Sequence, residues 1–185
     1  MNVDKLLVLD LDETLIYATT REREQPADFR VGAYYVYKRP HVDRFLALCM
    51  ARFTIGVWTS ASPLYAAGVV RHLFTAPDQL RFVWAADRCT RVYDAESGDY
   101  YWRKNLVKLC RRGYRREAIV AVDDTPQKWE RSYGNLVRVA PFFGDPGDIE
   151  LPLLAAYLEE LRSAPNVRTI EKRGWRASLA TLPLL

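Results

Sequence analysis

The chain has 185 residues and a formal net charge of +4, and 49% of its residues are apolar and 27% charged. This length and composition are those of a single globular domain with a sizeable core. No apolar run approaches the roughly 18 residues of a membrane-spanning helix, and the N-terminus lacks the pattern of a secretory signal. The three cysteines are too widely spaced for a zinc motif, so we expect buried thiols in a reducing compartment. We therefore expect an intracellular protein, cytoplasmic or nuclear, that is not secreted and has no membrane partner.

The predicted elements alternate between strands and helices. The apolar pattern predicts strands at about 5–10, 31–38, 53–58, 118–122 and 137–140, and helices at about 41–51, 63–73 and 149–162. Polar residues at 17–30 predict an exposed loop. Aromatic and β-branched residues around Gly98 predict a small β insertion over about 80–102. We expect one domain over 1–163, followed by a basic C-terminal tail at 164–185.

Two aspartates directly follow the first predicted strand. Asp10 and Asp12 come after a run of four apolar residues, in the segment Asp-Leu-Asp-Glu-Thr-Leu. Open α/β sheets bind ligands at the carboxyl ends of their strands, so we expect both carboxylates at that edge. Because strand side chains alternate in direction, one carboxylate can attack or bind metal while the other handles a proton. The tripeptide Asp-x-Asp alone is also common in turns that have no catalytic role.

Further groups suited to phosphoryl transfer come later in the chain. A second β-rich run ends at Thr59, Lys104 precedes an amphipathic stretch, and a third apolar strand ends at Asp123 and Asp124. Phosphoryl transfer depends on positioning and electrostatic stabilisation, and a carboxylate can serve as the nucleophile. Mg²⁺ takes one or two carboxylates together with phosphate oxygens and waters, and Asp10 with either later aspartate provides them. The threonine and the lysine can both bind phosphate oxygens.

With these motifs in this order, the chain resembles the phosphatases of the haloacid dehalogenase superfamily. More narrowly, it resembles the small NLI-interacting-factor-like phosphatases that act on the C-terminal domain of RNA polymerase II. The matching motifs are Asp-x-Asp-x-Thr at 10–14, Lys-Arg-Pro-His-Val-Asp-Arg-Phe-Leu at 38–46, Trp-Thr-Ser-Ala at 58–61, Lys-Asn-Leu at 104–106 and Asp-Asp-Thr-Pro at 123–126. The resemblance covers about residues 4–160. It implies a Rossmann-like α/β fold, with a central parallel sheet flanked by helices and a small β insertion between the Thr motif and the Lys motif.

The resemblance also implies catalytic roles. Asp10 would be the nucleophile and a metal ligand. Asp12 would be the general acid on the leaving oxygen and then the general base on water, and would bind metal through its backbone carbonyl. Thr59 and Lys104 would hold the phosphate.

The expected cofactor is Mg²⁺, and the resemblance does not decide which of the two later aspartates binds it. Asp124 stands where the family has a metal-binding Asn, and Asp123 stands where the family has the preceding Asp. Because the chain departs from Asp-Asn in this way, metal binding is assigned to both residues, with Asp124 favoured.

Other residues near these motifs are expected to contact the substrate. Thr14 and Ser60 belong to the signature and to the Thr motif, and Arg39 belongs to the segment characteristic of this branch. Tyr101 and Trp102 belong to an aromatic cluster in the predicted insertion, which in the resembling phosphatases helps receive a peptide near a phosphoserine. The alternative is that these rings only pack a small sheet.

A basic stretch at 103–116 leaves the substrate class open. It contains seven Lys or Arg residues and no acid. Such a stretch can bind the backbone of a nucleic acid, can attract a phosphopeptide, or can be a solvated face around one catalytic lysine.

Three functions therefore compete. We favour a Mg²⁺-dependent phosphomonoester hydrolase that forms an aspartyl-phosphate and acts on phosphoserine or phosphothreonine in proteins. The second is a phosphatase of the same superfamily for nucleic-acid 3′-phosphates or small metabolites. The third is a phosphopeptide-binding scaffold without activity, and the presence of Asp10 and Asp12 argues against it. The sequence predicts no oligomeric state.

Overall fold

The molecule contains both strands and helices, in a mixed order along the chain. The computed structural model describes residues 5–179. The strands in this range are β1 Leu6–Leu9, β2 Ile16–Thr19, β3 Phe29–Val31, β4 Tyr34–Lys38, β5 Thr54–Trp58, β6 Val83–Trp84, β7 Thr90–Asp94, β8 Asp99–Arg103, β9 Ile119–Asp123 and β10 Leu136–Arg138. The helices are α1 Val42–Arg52, α2 Pro63–Leu73, α3 Val107–Cys110, α4 Glu150–Ser163 and α5 Trp175–Leu179. None of these helices is both long and apolar enough to cross a lipid bilayer.

A parallel sheet of five strands lies at the centre, in the order β10-β9-β1-β5-β6. Strand β1 has β5 on one side and β9 on the other, so the strand order reverses at β1. In open α/β sheets such a reversal creates a crevice at the carboxyl ends of the strands. The sheet confirms the predicted fold class.

The apolar run of β1 is buried because both faces of the sheet are covered. Leu7 and Leu9 belong to the larger core, to which α1, α2 and α4 contribute. Leu6 and Val8 belong to a smaller core on the opposite face. Three tryptophans fill much of that smaller core: the ring centroid of Trp58 lies 4.8 Å from that of Trp84 and 5.8 Å from that of Trp129.

The structure corrects the sequence prediction at two places. The ends of the predicted loop 17–30 are strands, because β2 and β3 pair with opposite edges of β4 in a separate antiparallel sheet. The insertion between the Thr motif and the Lys motif is confirmed as the hairpin of β7 and β8. Val83 and Trp84 lie within its predicted range but pair with β5, so they belong to the central sheet.

The residues after α4 pack against the domain as far as residue 179. Trp175 is 1% exposed, stacks on Tyr157 at 5.4 Å and donates a hydrogen bond to the carbonyl of Arg138. The buried ammonium of Lys172 donates to three backbone carbonyls, among them those of Gly134 and Val167. Residues 180–185 of the predicted tail lie outside the described residues.

Candidate active site

Three adjacent strands end in polar residues at one edge of the sheet. Asp10 follows β1, Thr59 follows β5, and Asp123 ends β9. Backbone hydrogen bonds extend the ladder to these positions: the Asp10 N–H donates to the carbonyl of Val122 at 3.0 Å, and the Thr59 N–H donates to that of Trp84 at 2.9 Å. The sheet therefore fixes the backbone of these residues.

Lys104 connects the two buried aspartates at this edge. Its Nζ lies 3.0 Å from Oδ1 of Asp10 and 2.5 Å from Oδ2 of Asp123, and all three side chains are buried. The indole of Trp129 donates a further hydrogen bond to Oδ2 of Asp123 at 2.9 Å. Because buried carboxylates require compensation by opposite charge and hydrogen bonds, Lys104 stabilises the pair.

A second lysine, Lys128, lies in the same cluster and was not among the residues predicted for the site. Its Nζ lies 2.8 Å from Oδ2 of Asp10, 3.4 Å from Oδ1 of Asp123 and 4.0 Å from Oδ1 of Asp124. A 3₁₀ turn that begins at Pro126, the last residue of the acidic motif, turns the lysine back towards the carboxylates. The sequence feature that could have indicated this position is its spacing, because Lys128 lies four residues after Asp124.

The two lysines control the ionisation of Asp10. Burial alone would raise the pKa of Asp10, but the ammonium groups of Lys104 and Lys128 outweigh burial and hold this pKa below its usual range. For Asp123, burial and the neighbouring charge of Asp10 together raise the pKa, against the opposing effect of the two lysines. Of these two carboxylates, Asp10 therefore stays ionised to lower pH.

Asp12 lies in a different environment. Its Oδ1 accepts a hydrogen bond from the hydroxyl of Tyr65 at 2.6 Å, and Tyr34 packs edge-on against that tyrosine. Burial raises the pKa of Asp12 above its usual value, the hydrogen bond from Tyr65 opposes this shift, and the charge of Asp10 adds to it. A carboxyl group whose pKa is raised retains its proton at higher pH, which suits a general acid.

The loop after β1 brings Asp12 to the site. The carbonyl of Leu11 accepts hydrogen bonds from the N–H groups of Thr14, Leu15 and Ile16, which closes a tight turn. Glu13 takes a left-handed backbone conformation with φ of 55° inside this turn. Such a conformation is uncommon for a residue with a side chain and is typical of functional loops.

Asp10, Asp123 and Asp124 can together hold a metal ion. Each offers a carboxylate oxygen, and these oxygens lie within 4.8 Å of one another. Oxygen-only donor sets suit Mg²⁺, so the residues present fit the expected cofactor. Asp124 also accepts hydrogen bonds from the hydroxyl of Thr125 at 2.9 Å and from that of Thr14 at 3.4 Å.

The residues predicted to contact the substrate lie in different environments. Thr14 is buried beside Asp124, whereas Ser60 is partly exposed next to Thr59. Arg39 is buried. Its guanidinium makes a bidentate pair with Asp148 at 2.8 and 2.7 Å and donates to the carbonyl of Thr14 at 3.0 Å. Each of its three side-chain nitrogens donates to a protein oxygen, and its predicted contact with substrate stays a prediction.

Tyr101 and Trp102 lie on strand β8 of the hairpin. Trp102 is 39% exposed, while Tyr101 is partly covered and lies beside Glu130. Within residues 5–179, no hydrogen bond or ring contact links either side chain to the aspartates of the site. Their predicted contact with substrate stays a prediction.

The basic stretch 103–116 does not form a single free cationic face. Lys104 is buried in the site, and Arg103 pairs with Glu130 at 2.8 Å. Arg112 lies over the ring of Trp84 at 5.0 Å, and Lys108 donates to the carbonyl of Arg88.

Comparison with known proteins gives consistent matches. The family model for the NLI interacting factor-like phosphatases matches residues 5–168. The CTD nuclear envelope phosphatase 1 homolog of Drosophila melanogaster is 32% identical over 92% of this chain and 72% of its own length. CTD nuclear envelope phosphatase 1 of Xenopus laevis is 29% identical with the same coverage.

A solved structure has the same fold. Fcp1, an essential RNA polymerase II CTD phosphatase, superimposes with a TM-score of 0.68 at 16% identity. The match covers 86% of this chain and 62% of that chain.

Proposed function

The chain belongs to the NLI interacting factor-like phosphatase family and is a phosphatase of the haloacid dehalogenase type, and we propose that it hydrolyses phosphoserine or phosphothreonine in proteins. This membership confirms the resemblance that the motifs indicated. The proposal includes Mg²⁺ as cofactor and an aspartyl-phosphate on Asp10 as intermediate. The observation that carries it is the environment of Asp10, a buried carboxylate kept ionised by two ammonium groups beside Asp12, a carboxyl group whose pKa is raised above its usual value.

Asp10 is the proposed nucleophile. One of its carboxylate oxygens forms a bond to phosphorus while the bond from phosphorus to the serine or threonine oxygen breaks. Its low pKa keeps it charged, and burial excludes the water that would otherwise solvate it. The ammonium of Lys104 neutralises the equatorial oxygens of the phosphoryl group, and the hydroxyl of Thr59 orients them through a hydrogen bond. Ser60 lies beside Thr59.

Asp12 is the proposed general acid and base. It gives its proton to the departing alkoxide, which is a poor leaving group without one. The resulting carboxylate then takes a proton from the water that attacks the phosphorus of the aspartyl-phosphate. This step releases inorganic phosphate and restores Asp10. Tyr65 holds the Asp12 side chain in place through its hydrogen bond.

Asp10, the Asp12 carbonyl and Asp124 are the proposed ligands for Mg²⁺. When bound, the ion would supply positive charge to neutralise the transferring phosphoryl group. Asp124 is favoured over Asp123 because the oxygens of Asp123 already accept from Lys104, Trp129 and the N–H of Thr125. Asp123 is then the residue that positions Lys104.

A phosphorylated protein is the proposed substrate, and the names of the relatives support this class. The basic stretch offers less support for nucleic acid, because two of its cations are paired or buried. An intracellular location, as the relatives named for the nuclear envelope suggest, completes the proposal.

The test is hydrolysis by the wild-type chain and by Asp10→Asn, with Mg²⁺ or with EDTA. The substrates are a phosphoserine peptide, a 3′-phosphorylated oligonucleotide and p-nitrophenyl phosphate. We expect Mg²⁺-dependent release of phosphate from the peptide and background rates in the variant, because Asn keeps the shape but cannot attack. Asp78→Asn, at an exposed position, is the matched control and should keep full activity. Activity on the oligonucleotide alone would mean that the substrate is a nucleic-acid 3′-phosphate and not a phosphorylated protein. Full activity of Asp10→Asn would refute the assignment of Asp10 as the nucleophile.

A further inference from the structure

Each carboxylate oxygen of Asp10 lies near an ammonium group. Oδ1 lies 3.0 Å from Nζ of Lys104, and Oδ2 lies 2.8 Å from Nζ of Lys128. The proposed function requires one of these oxygens for a divalent cation and the other for phosphorus. The Lys128 ammonium donates a hydrogen bond to Oδ2, whereas Oδ1 has no hydrogen-bond partner among the described residues, so Lys128 is the group that competes directly for an oxygen of Asp10.

Lys128 is the lysine that can leave. The Lys104 side chain is fully buried and also contacts Asp123 at 2.5 Å and the face of Trp129, so it has no route to water. The Lys128 side chain is 15% exposed. Its backbone carbonyl accepts from the N–H of Lys104 at 2.8 Å, which anchors the main chain while the long side chain keeps its rotatable bonds.

The Lys128 ammonium also faces the oxygens that suit a metal ion. It contacts Asp10, Asp123 and Asp124, the same three residues whose oxygens lie within 4.8 Å of one another. A divalent cation drawn to Asp10 and Asp124 would meet the ammonium group at short range, where like charges repel strongly in a buried setting.

We propose that Lys128 is a displaceable internal counter-ion of the metal site, which a divalent cation must displace in order to bind Asp10 and Asp124. The inference rests on the proposed function, since it takes these residues as metal ligands. Lys128 thereby has two opposite effects. It stabilises the cluster when no metal is bound, and it weakens the affinity for metal.

The two effects separate this role from a purely structural one. Removing the ammonium leaves adjacent buried carboxylates with less compensation, so the metal-free protein loses stability. The same change makes the cluster more negative and removes the competitor, so a divalent cation binds more tightly. A lysine that only supports the fold would lower both stability and affinity when it is replaced.

The first test is the Kd for Mg²⁺ of the full chain, measured by isothermal titration calorimetry for the wild type and Lys128→Gln. We expect the variant to bind about tenfold more tightly, and to unfold at a lower temperature than the wild type in EDTA. Lys108→Gln removes the same charge outside the cluster and should leave the Kd unchanged. An equal or weaker affinity of Lys128→Gln would overturn the inference.

The second test needs no variant. Amine acylation of the wild type, with mass spectrometry, reports how accessible each lysine is with and without Mg²⁺. We expect the labelling of Lys128 to rise when Mg²⁺ is added, while Lys104 stays protected. Unchanged or reduced labelling of Lys128 would overturn the inference.

If calorimetry detects no Mg²⁺ binding at all, the proposed function fails together with the inference about Lys128. Binding without displacement refutes only the role of Lys128.

Discussion

At the scale of residues, two aspartates of one motif differ because their surroundings differ. Asp10 lies between the ammonium groups of two lysines, which lower its pKa. Asp12 accepts a hydrogen bond from a tyrosine hydroxyl, and its pKa is raised, chiefly by burial. Enzymes that use paired carboxyl groups divide the roles of nucleophile and acid through such differences. The motif itself is evident from the sequence, but residues far away in the sequence determine the different pKa values of its two aspartates.

The raised pKa of Asp12 predicts how turnover depends on pH. The protonated form donates to the leaving alkoxide, so turnover of a phosphoserine peptide should fall as pH rises through this pKa, by about tenfold per pH unit. On the acid side the rate should persist until Asp10 takes a proton, below the usual range of an aspartate. Rates with p-nitrophenyl phosphate, whose leaving group needs little protonation, should fall much less at high pH. Parallel pH profiles for the two substrates would contradict the role of Asp12.

At the scale of elements, the loop after β1 is supported from behind by β4. The N–H of Arg39, directly after β4, donates to the carbonyl of Leu15, and its guanidinium connects the Thr14 carbonyl to Asp148. The loop that carries Asp12 is therefore held by the second sheet and by the segment before α4. Strain at Glu13 is tolerated because these contacts fix the turn.

Arg39→Met should remove this support. The change leaves Asp148, whose side chain is 16% exposed, and the Thr14 carbonyl without their partner, so the free energy of unfolding should fall by about 3–5 kcal/mol. Chemical denaturation measures this loss. Arg52→Met is the matched control: its pair with Glu159 is exposed, and its loss should cost less than about 1 kcal/mol. Equal losses in the two variants would argue against the supporting role.

The strands that carry the site were predictable, and several of their neighbours were not. Continuous apolar runs ending in acids or hydroxyls indicated β1, β5 and β9, because burial on both faces leaves a local pattern. Arg39 was predicted to contact the substrate, and its ion pair was not predictable because its partner Asp148 lies 109 residues away. The strand Ile16–Thr19 was missed for a related reason, because it pairs with β4 across the polar segment.

At the scale of the whole molecule, the segment after α4 completes the larger core. Trp175 belongs to that core together with Tyr157 of α4, and its indole N–H is bonded to the carbonyl at the end of β10. The composition of this segment indicated only a basic tail, because one tryptophan among many charges does not reveal a partner. The contact links the C-terminal segment to β10, an edge strand of the central sheet.

Trp175→Ala should therefore destabilise the whole domain. Replacing a fully buried tryptophan by alanine typically costs about 3–5 kcal/mol, and thermal or chemical unfolding would measure it. Tyr133→Ala removes an aromatic ring that is 78% exposed and should change stability by no more than about 0.5 kcal/mol. A small effect of Trp175→Ala would mean that the segment contributes little to the fold.

In the proposed mechanism, Asp10 carries the phosphoryl group. Asp12→Asn allows a direct measurement with p-nitrophenyl phosphate and Mg²⁺, because this leaving group departs without an acid while the second step lacks its base. We predict a burst of nitrophenolate equal to the enzyme concentration, then slow turnover, with phosphate attached to the Asp10 peptide after acid quenching and mass spectrometry. No burst, or phosphate on another residue, would contradict the assignment of Asp10 as the nucleophile.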